Sequence, residues 1–226
     1  MTHIVLLGDS IFDNANYVPS GRDVVSHLQQ MLDTDSKATL LAVDGAVVDD
    51  VPSQVFRIPN DASHLVLSAG GNDALQNMWI LTEQAQTVSD ALSKLALIRE
   101  RFAVSYRQLI RSLVELQKPL TVCTIYQPPM FEEVPQPVLA AALSVFNDTI
   151  LGIAFEESLT VIETRLLLNE ESDFESIIEP SDSGGAKIAQ ALALAAEIEP
   201  VPHRSQVFGI KLFPLIREAR IASQPN

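Results

Sequence analysis

Five short runs of unbroken apolar or β-branched residues recur along the chain: Ile4 to Leu7, Thr39 to Val43, Leu65 to Ser68, Leu120 to Thr124 and Thr160 to Ile162. Runs that lack polar alternation mark strands buried on both faces, and each predicts a parallel strand. Between them lie segments with helical spacing at Arg22 to Leu32, Thr87 to Gln117, Val138 to Phe155 and Ser183 to Ile198. In the longest, Leu92, Leu95, Leu97, Phe102, Leu109, Ile110, Leu113 and Leu116 mark one apolar face. Strands alternating with helices predict an α/β fold, because a right-handed helical crossover is the usual way to join parallel neighbours. The expected architecture is three-layer α/β/α with a five-stranded parallel, flavodoxin-like sheet, in one domain over residues 1–200.

Residues 201–226 are a different kind of segment. They carry Val207, Phe208, Ile210, Leu212, Phe213, Leu215, Ile216 and Ile221, interrupted by Pro214, which no helix interior tolerates well. Arg204, Lys211, Arg217 and Arg220 oppose only Glu218 there, a net charge of +3 that leaves −17 for the first 200 residues. This apolar, mildly basic extension either packs on the acidic body of its own chain or docks on another protomer, making a homo-oligomer, or on another partner.

The chain has 226 residues, 47% hydrophobic and 19% charged, enough to bury a large core. Its net charge of −14 would repel phosphate backbones and anionic headgroups, so neither nucleic acid nor membrane is expected as a partner. No apolar run reaches the 18 or so residues of a membrane span. His3 to Leu7 leads directly into Gly8-Asp9-Ser10 without signal-peptide architecture. With one cysteine, Cys123, an intramolecular disulfide is impossible, and a cytoplasmic location is the expectation. Cys123 sits mid-strand and reads as core. Carboxylates are plentiful, but no metal-ligand spacing involving histidine appears, so no metal or other cofactor is expected.

In a doubly wound sheet, ligands bind at the carboxyl ends of the strands. That rule nominates Gly8-Asp9-Ser10 after the first strand, where a serine can be held rigidly with its hydroxyl exposed, although a plain turn or helix cap explains a lone serine equally simply. The second strand ends in Val43-Asp44-Gly45-Ala46 and offers a bare N–H at Gly45. The third ends in Ser68-Ala69-Gly70-Gly71-Asn72-Asp73, where Asn72 can aim N–H donors at a developing oxyanion. A glycine turn followed by a capping residue is the structural alternative. Trp79, flanked by Met78 and Ile80, reads as core packing first and as an acyl-pocket wall second.

Together with Glu179-Pro180-Ser181, Gly184-Gly185 and Lys187-Ile188-Ala189 at the last helix, this ordered set resembles the SGNH or GDSL hydrolases, a family of esterases and lipases. The resemblance spans nearly all of residues 1–200. It implies Ser10 as nucleophile, an oxyanion hole from the N–H groups of Ser10 and Gly45 and the Asn72 side chain, and a pocket involving Asp9, Gly71, Asp73, Tyr126 and Pro128. The implied substrate is a small-molecule ester carrying a small acyl or carbohydrate-linked group. Where the family writes Asp-x-x-His-Pro, this chain has Ser176-Ile177-Ile178-Glu179-Pro180, so the usual base histidine is absent.

The four histidines offer no replacement. His3 and His64 fall at the starts of strands, whereas Ser10 lies beyond a strand's end; six residues at roughly 3.3 Å each put His64 about 20 Å from the rim at Gly70. His27 lies in the first helix and faces solvent or the sheet, while His203 lies in the extension. Glu179 is the remaining candidate base. A glutamate base becomes neutral as it works, so a neighbouring carboxylate would only repel it; Ser176 removes that repulsion and supplies a hydroxyl. The alternative is a catalytically impaired protein of the same fold that binds a small ligand or partner.

Overall fold

The structure, a computed structural model, describes residues 2–18, 21–129, 131–132, 134–197 and 204–208. Six strands, β1 (His3–Gly8), β2 (Lys37–Leu40), β3 (His64–Ser68), β4 (Leu120–Cys123), β5 (Thr160–Ile162) and β6 (Gln206–Phe208), form one sheet in the order β2-β1-β3-β4-β5-β6. Every neighbouring pair is parallel. The chain connects the strands through α1 (Val24–Met31), α2 (Pro52–Val55), α3 (Gly71–Gln76), α4 (Val88–Val114), α5 (Gln136–Glu156), α6 (Thr164–Leu167) and α7 (Asp182–Ala196).

The strand period of two divides the core into two layers. Val5, Leu7, Leu65 and Leu67 face one side and pack with Phe102, Ile110 and Ile150 of α4 and α5. Ile4, Leu6 and Val66 face the other and pack with Leu28 of α1 and Ile188 and Leu192 of α7. Because both faces are covered, all six residues of β1 are buried, which is why the strands read as unbroken apolar runs. Local chemistry starts the helices: Asp23, Thr87 and Ser181 each accept an N–H from the first turn of α1, α4 and α7.

Three features differ from the sequence reading, the first being β2, which spans Lys37–Leu40 rather than Thr39–Val43. The sheet has six strands rather than five, because residues 206–208, assigned to the extension, pair in register with β5. The rest of the extension, residues 209–226, and His203 lie outside the described residues. α5 is long and apolar enough to cross a bilayer by length and composition, contrary to the expectation that no such run exists, yet Ile150, Ile153 and Ala154 bury one face of it in the core.

The long helix also departs from its expected face. Ile98 and Tyr106 join Phe102, Leu109, Ile110 and Leu113 in the core, whereas Leu92 and Leu97 are exposed. Leu97 lies on the opposite face from Phe102 and Leu113, in line with exposed Val104, so helical phase exposes it; for Leu92 the reason is length. A helix of 27 residues extends about 40 Å, against about 20 Å for the six residues of the longest strand. The N-terminal part of α4 therefore runs past the carboxyl edge of the sheet, and its outward apolar side chains have no strand to cover them.

Candidate active site

Chain reversal at the end of β1 depends on Gly8. Its φ is +122°, and a Cβ there would fall 1.6 Å from the Ser68 carbonyl oxygen, so only glycine lets β1 lie against β3 at this point. The Gln54 side chain satisfies both peptide groups of Gly8: Oε1 accepts its N–H at 2.7 Å and Nε2 donates to its carbonyl at 2.8 Å. Gln54 is 1% exposed. Sequence reasoning missed it, since nothing in a lone glutamine between loops points to a backbone partner in another segment.

Ser10 follows, with its Oγ donating to Glu179 Oε1 at 3.0 Å. Glu179 sits on a loop closed on itself. The Ser181 N–H donates to the Asp173 carbonyl at 2.9 Å, and the Glu175 N–H donates to the Glu179 carbonyl at 2.9 Å. Asp173 also receives the N–H groups of Asn169 and Glu170 on Oδ2, with Lys187 Nζ 2.6 Å from its other oxygen. Buried Asn14 joins the two loops. Its Nδ2 donates to the Pro180 carbonyl at 3.2 Å while its Oδ1 accepts the Val24 N–H at 3.1 Å. The Tyr126 hydroxyl donates to the Ile178 carbonyl, and its ring packs on Phe174.

Ser176 has a different part from the one expected. The loop turns so that its Oγ accepts the Glu179 N–H at 3.3 Å, and this exposed hydroxyl supports the backbone rather than the carboxylate. Glu179 Oε2 is buried without a hydrogen-bond partner among the described residues. The carboxyl is 4% exposed, and its pKa is raised by burial, lowered in part by the Ser10 hydrogen bond and raised again by the charge of Asp44.

Asn72 Nδ2 donates to the Ala46 carbonyl at 3.0 Å, which draws the loops after β2 and β3 together. One proton of that amide remains for another acceptor. The peptide N–H groups of Ser10 and Gly45 make no hydrogen bond among the described residues, and Gly45, with φ +79°, is open to solvent. Asp73 is turned away from the cavity, its Oδ2 accepting the Val48 N–H at 3.1 Å, which corrects its expected place in the pocket. Burial pushes its pKa to about 6. Asp9 is buried beside Ser10, accepts the Ile11 N–H and the Ser68 hydroxyl, and is pushed up to about 7 by burial, with Glu179 and Asp73 adding repulsion.

These groups open into a cavity of about 110 Å³, several times what one ordered water needs. Asp9, Ser10, Gly71, Asn72, Tyr126, Pro128 and Glu179 line its polar end. Its remaining wall is apolar, with Met78 and Ile80 from a 3₁₀ turn, Leu95 and Ile98 from α4, and Leu139 and Phe146 from α5. Trp79, read as core, is 57% exposed because the turn directs its neighbours inward. The described histidines are elsewhere. His3 contacts Asp61 and Thr39, His27 is buried against Asp182 rather than facing solvent, and His64 begins β3.

A family model for GDSL-like lipases and acylhydrolases matches residues 6–186. Among curated protein sequences none matches significantly. Of the solved structures, the extracellular lipase from Streptomyces rimosus superposes with a TM-score of 0.64 at 16% identity, covering 87% of this chain and 100% of that one. A catalytic mutant of the acetylxylan esterase Axe2 from Geobacillus stearothermophilus gives 0.62 at 16% identity, over 90% and 97%. A member of the lipolytic G-D-S-L family from Veillonella parvula gives 0.59 at 17% identity, over 86% and 97%.

Proposed function

The chain belongs to the GDSL-like lipase/acylhydrolase family, and from that premise we propose that it hydrolyses esters by attack of Ser10, with Glu179 as the base. The observation that carries this reading is the 3.0 Å hydrogen bond from Ser10 Oγ to a carboxylate that is 4% exposed. An exposed glutamate, with a pKa near 4.3, is a poor base toward a serine hydroxyl. Burial raises the Glu179 pKa and narrows that gap.

In the first half-reaction Glu179 Oε1 takes the Ser10 proton as Oγ bonds to the substrate carbonyl carbon. The carbonyl oxygen becomes an oxyanion, held by the free Asn72 amide proton and the N–H groups of Ser10 and Gly45. Collapse breaks the bond to the alkoxide, and neutral Glu179 returns its proton to the departing alcohol. Water then repeats the sequence on the acyl-Ser10 ester: Glu179 takes a water proton, and returning it to Oγ frees the acid. Negative charge migrates from Glu179 to the oxyanion without an intervening cation, so no orienting carboxylate is needed.

Labelling with a serine-reactive fluorophosphonate, located by mass spectrometry, tests this assignment. The expected result is modification of Ser10 that disappears in Ser10→Ala and in Glu179→Gln. Equal labelling of the glutamine variant would exclude Glu179 as the base. Absence of both labelling and turnover of aryl esters would instead identify a protein that binds ligand without cleaving it.

A further inference from the structure

The cavity lies between the N-terminal halves of α4 and α5, where Ile98 and Phe146 join its wall to the core against the sheet. Along α5 the lining runs from Leu139 through Ala142 and Leu143 to Phe146, one stripe at helical spacing over about 10 Å. On α4 the facing residues are Leu95 and Ile98. No lysine or arginine lines the cavity, and its carboxylates, Asp9 and Glu179, lie at the Ser10 end. A charged or hydroxyl-rich acyl group would lose its hydration there without compensation. An apolar chain would exchange water for aliphatic contact along the whole stripe.

We propose that the site selects esters of an uncharged, unbranched acyl chain of roughly six to eight carbons, the length that ordinary C–C geometry fits into this stripe, and that Ala142 sets how deep the chain reaches. Ala142 is the one small side chain on the stripe, where its neighbours Leu139, Leu143 and Phe146 are large, so it leaves room between the helices. At the Ser10 end, Asp44 is close enough to Glu179 to raise its pKa, and its N–H donates to Asp13 Oδ2 at 2.9 Å, so the loop rim there carries two acidic side chains. An alcohol moiety bearing phosphate or carboxylate is repelled there, and a neutral one is accepted.

This inference rests on the ester-hydrolase reading, and two measurements keep the pair separable. The first compares kcat/KM for p-nitrophenyl acetate, butyrate and octanoate. The expected rise is roughly fourfold per added methylene up to the octanoate. In Ala142→Phe, or in the smaller Ala142→Val should the first fail to fold, the octanoate-to-acetate ratio should fall by roughly tenfold or more. A wild-type enzyme that prefers acetate, or a ratio unmoved by either substitution, overturns the inference. The second reads the fluorescence of Trp79, the chain's single tryptophan, on the turn whose neighbours line the cavity. Octanamide should titrate it to saturation where acetamide does not, and Ala142→Phe should abolish the response. Saturable octanamide binding without turnover of any ester sinks the hydrolase reading and preserves the cavity assignment; absent binding sinks the assignment itself.

Discussion

Lys187 Nζ lies 2.6 Å from Asp173 Oδ1, and the carboxylate is 1% exposed while the ammonium is 23% exposed. Asp173 is the closing residue of the loop that carries Glu179, so α7 fixes the proposed base through one ion pair. Removing one partner of a buried pair strands the other without hydration. Lys187→Met should therefore cost about 3 kcal/mol in urea denaturation, the lower end of the range because the lysine is partly exposed. It should also reduce kcat more than it raises KM. A loss of stability below roughly 1 kcal/mol would show that the backbone donors to Asp173 suffice.

The pH profile follows from the raised pKa of Glu179. As a base it works only when ionised, so kcat/KM should rise with pH through a midpoint above the usual carboxylate value and then stay level. Asp44 contributes to the rise, so Asp44→Asn should move the midpoint to lower pH. An unmoved midpoint would remove Asp44 from the electrostatics of the site.

Asp9 ties stability to pH. Its pKa goes from about 4 in the unfolded chain to about 7 in the fold. The fold thus holds the protonated form more favourably, and that stabilisation is complete at low pH and is lost as pH rises through about 7. Asp9→Asn keeps an acceptor for the Ile11 N–H and the Ser68 hydroxyl. At pH 8 it should stabilise the protein by an amount on the order of a few kcal/mol, with little effect at pH 4. Thermal denaturation of both proteins between pH 4 and 8 reads this directly, and parallel curves would contradict it.

Loss of one oxyanion donor typically lowers kcat by about 10² to 10³. Asn72→Ala should fall in that range with KM changed much less, measured on a short-chain aryl ester. Because Asn72 also donates to the Ala46 carbonyl, a matching fall in melting temperature would indicate a merely structural role.

Gly184 opens α7 under Asp173, and a Cβ there would fall 2.1 Å from the Asp173 carbonyl oxygen. Gly184→Ala should destabilise the fold by more than about 2 kcal/mol and displace Glu179. Circular dichroism melts and fluorophosphonate labelling of the folded fraction measure the two effects.

The pattern of runs along the chain was sufficient for four helices and, through β1, β3, β4 and β5, for the rim on which the site forms, because burial on both faces keeps those strands mostly apolar; the edge strand β2, with Lys37 exposed, begins two residues earlier than its apolar run. β6 escaped because Val207 and Phe208 open a longer apolar stretch, interrupted by Pro214, that reads as one extension with nothing to set a strand apart within it. Glu179 was visible only by its place in an ordered set of motifs. Gln54 and Asn14 were not visible, since each answers a peptide group 46 or 166 residues away, and contacts that distant leave no local pattern. Likewise the exposure of Leu92 and Trp79 follows from how far α4 and its preceding turn stand beyond the sheet, a property of relative lengths, whereas Leu97 simply falls on the face of α4 opposite Phe102 and Leu113.

That overhang divides the molecule's labour. The helical ends around the cavity take no part in the sheet ladder, in the Gly8–Gln54 clamp or in the Lys187–Asp173 tie, so substitutions there can reshape what is admitted while Ser10 and Glu179 keep their registration. Selectivity and chemistry are separately adjustable. A lineage, or an engineer, can explore new substrates by exchanging Leu95, Ala142 or Leu143, the half-buried cavity residues of the two helices, while Ile98 and Phe146 stay fixed as part of the core.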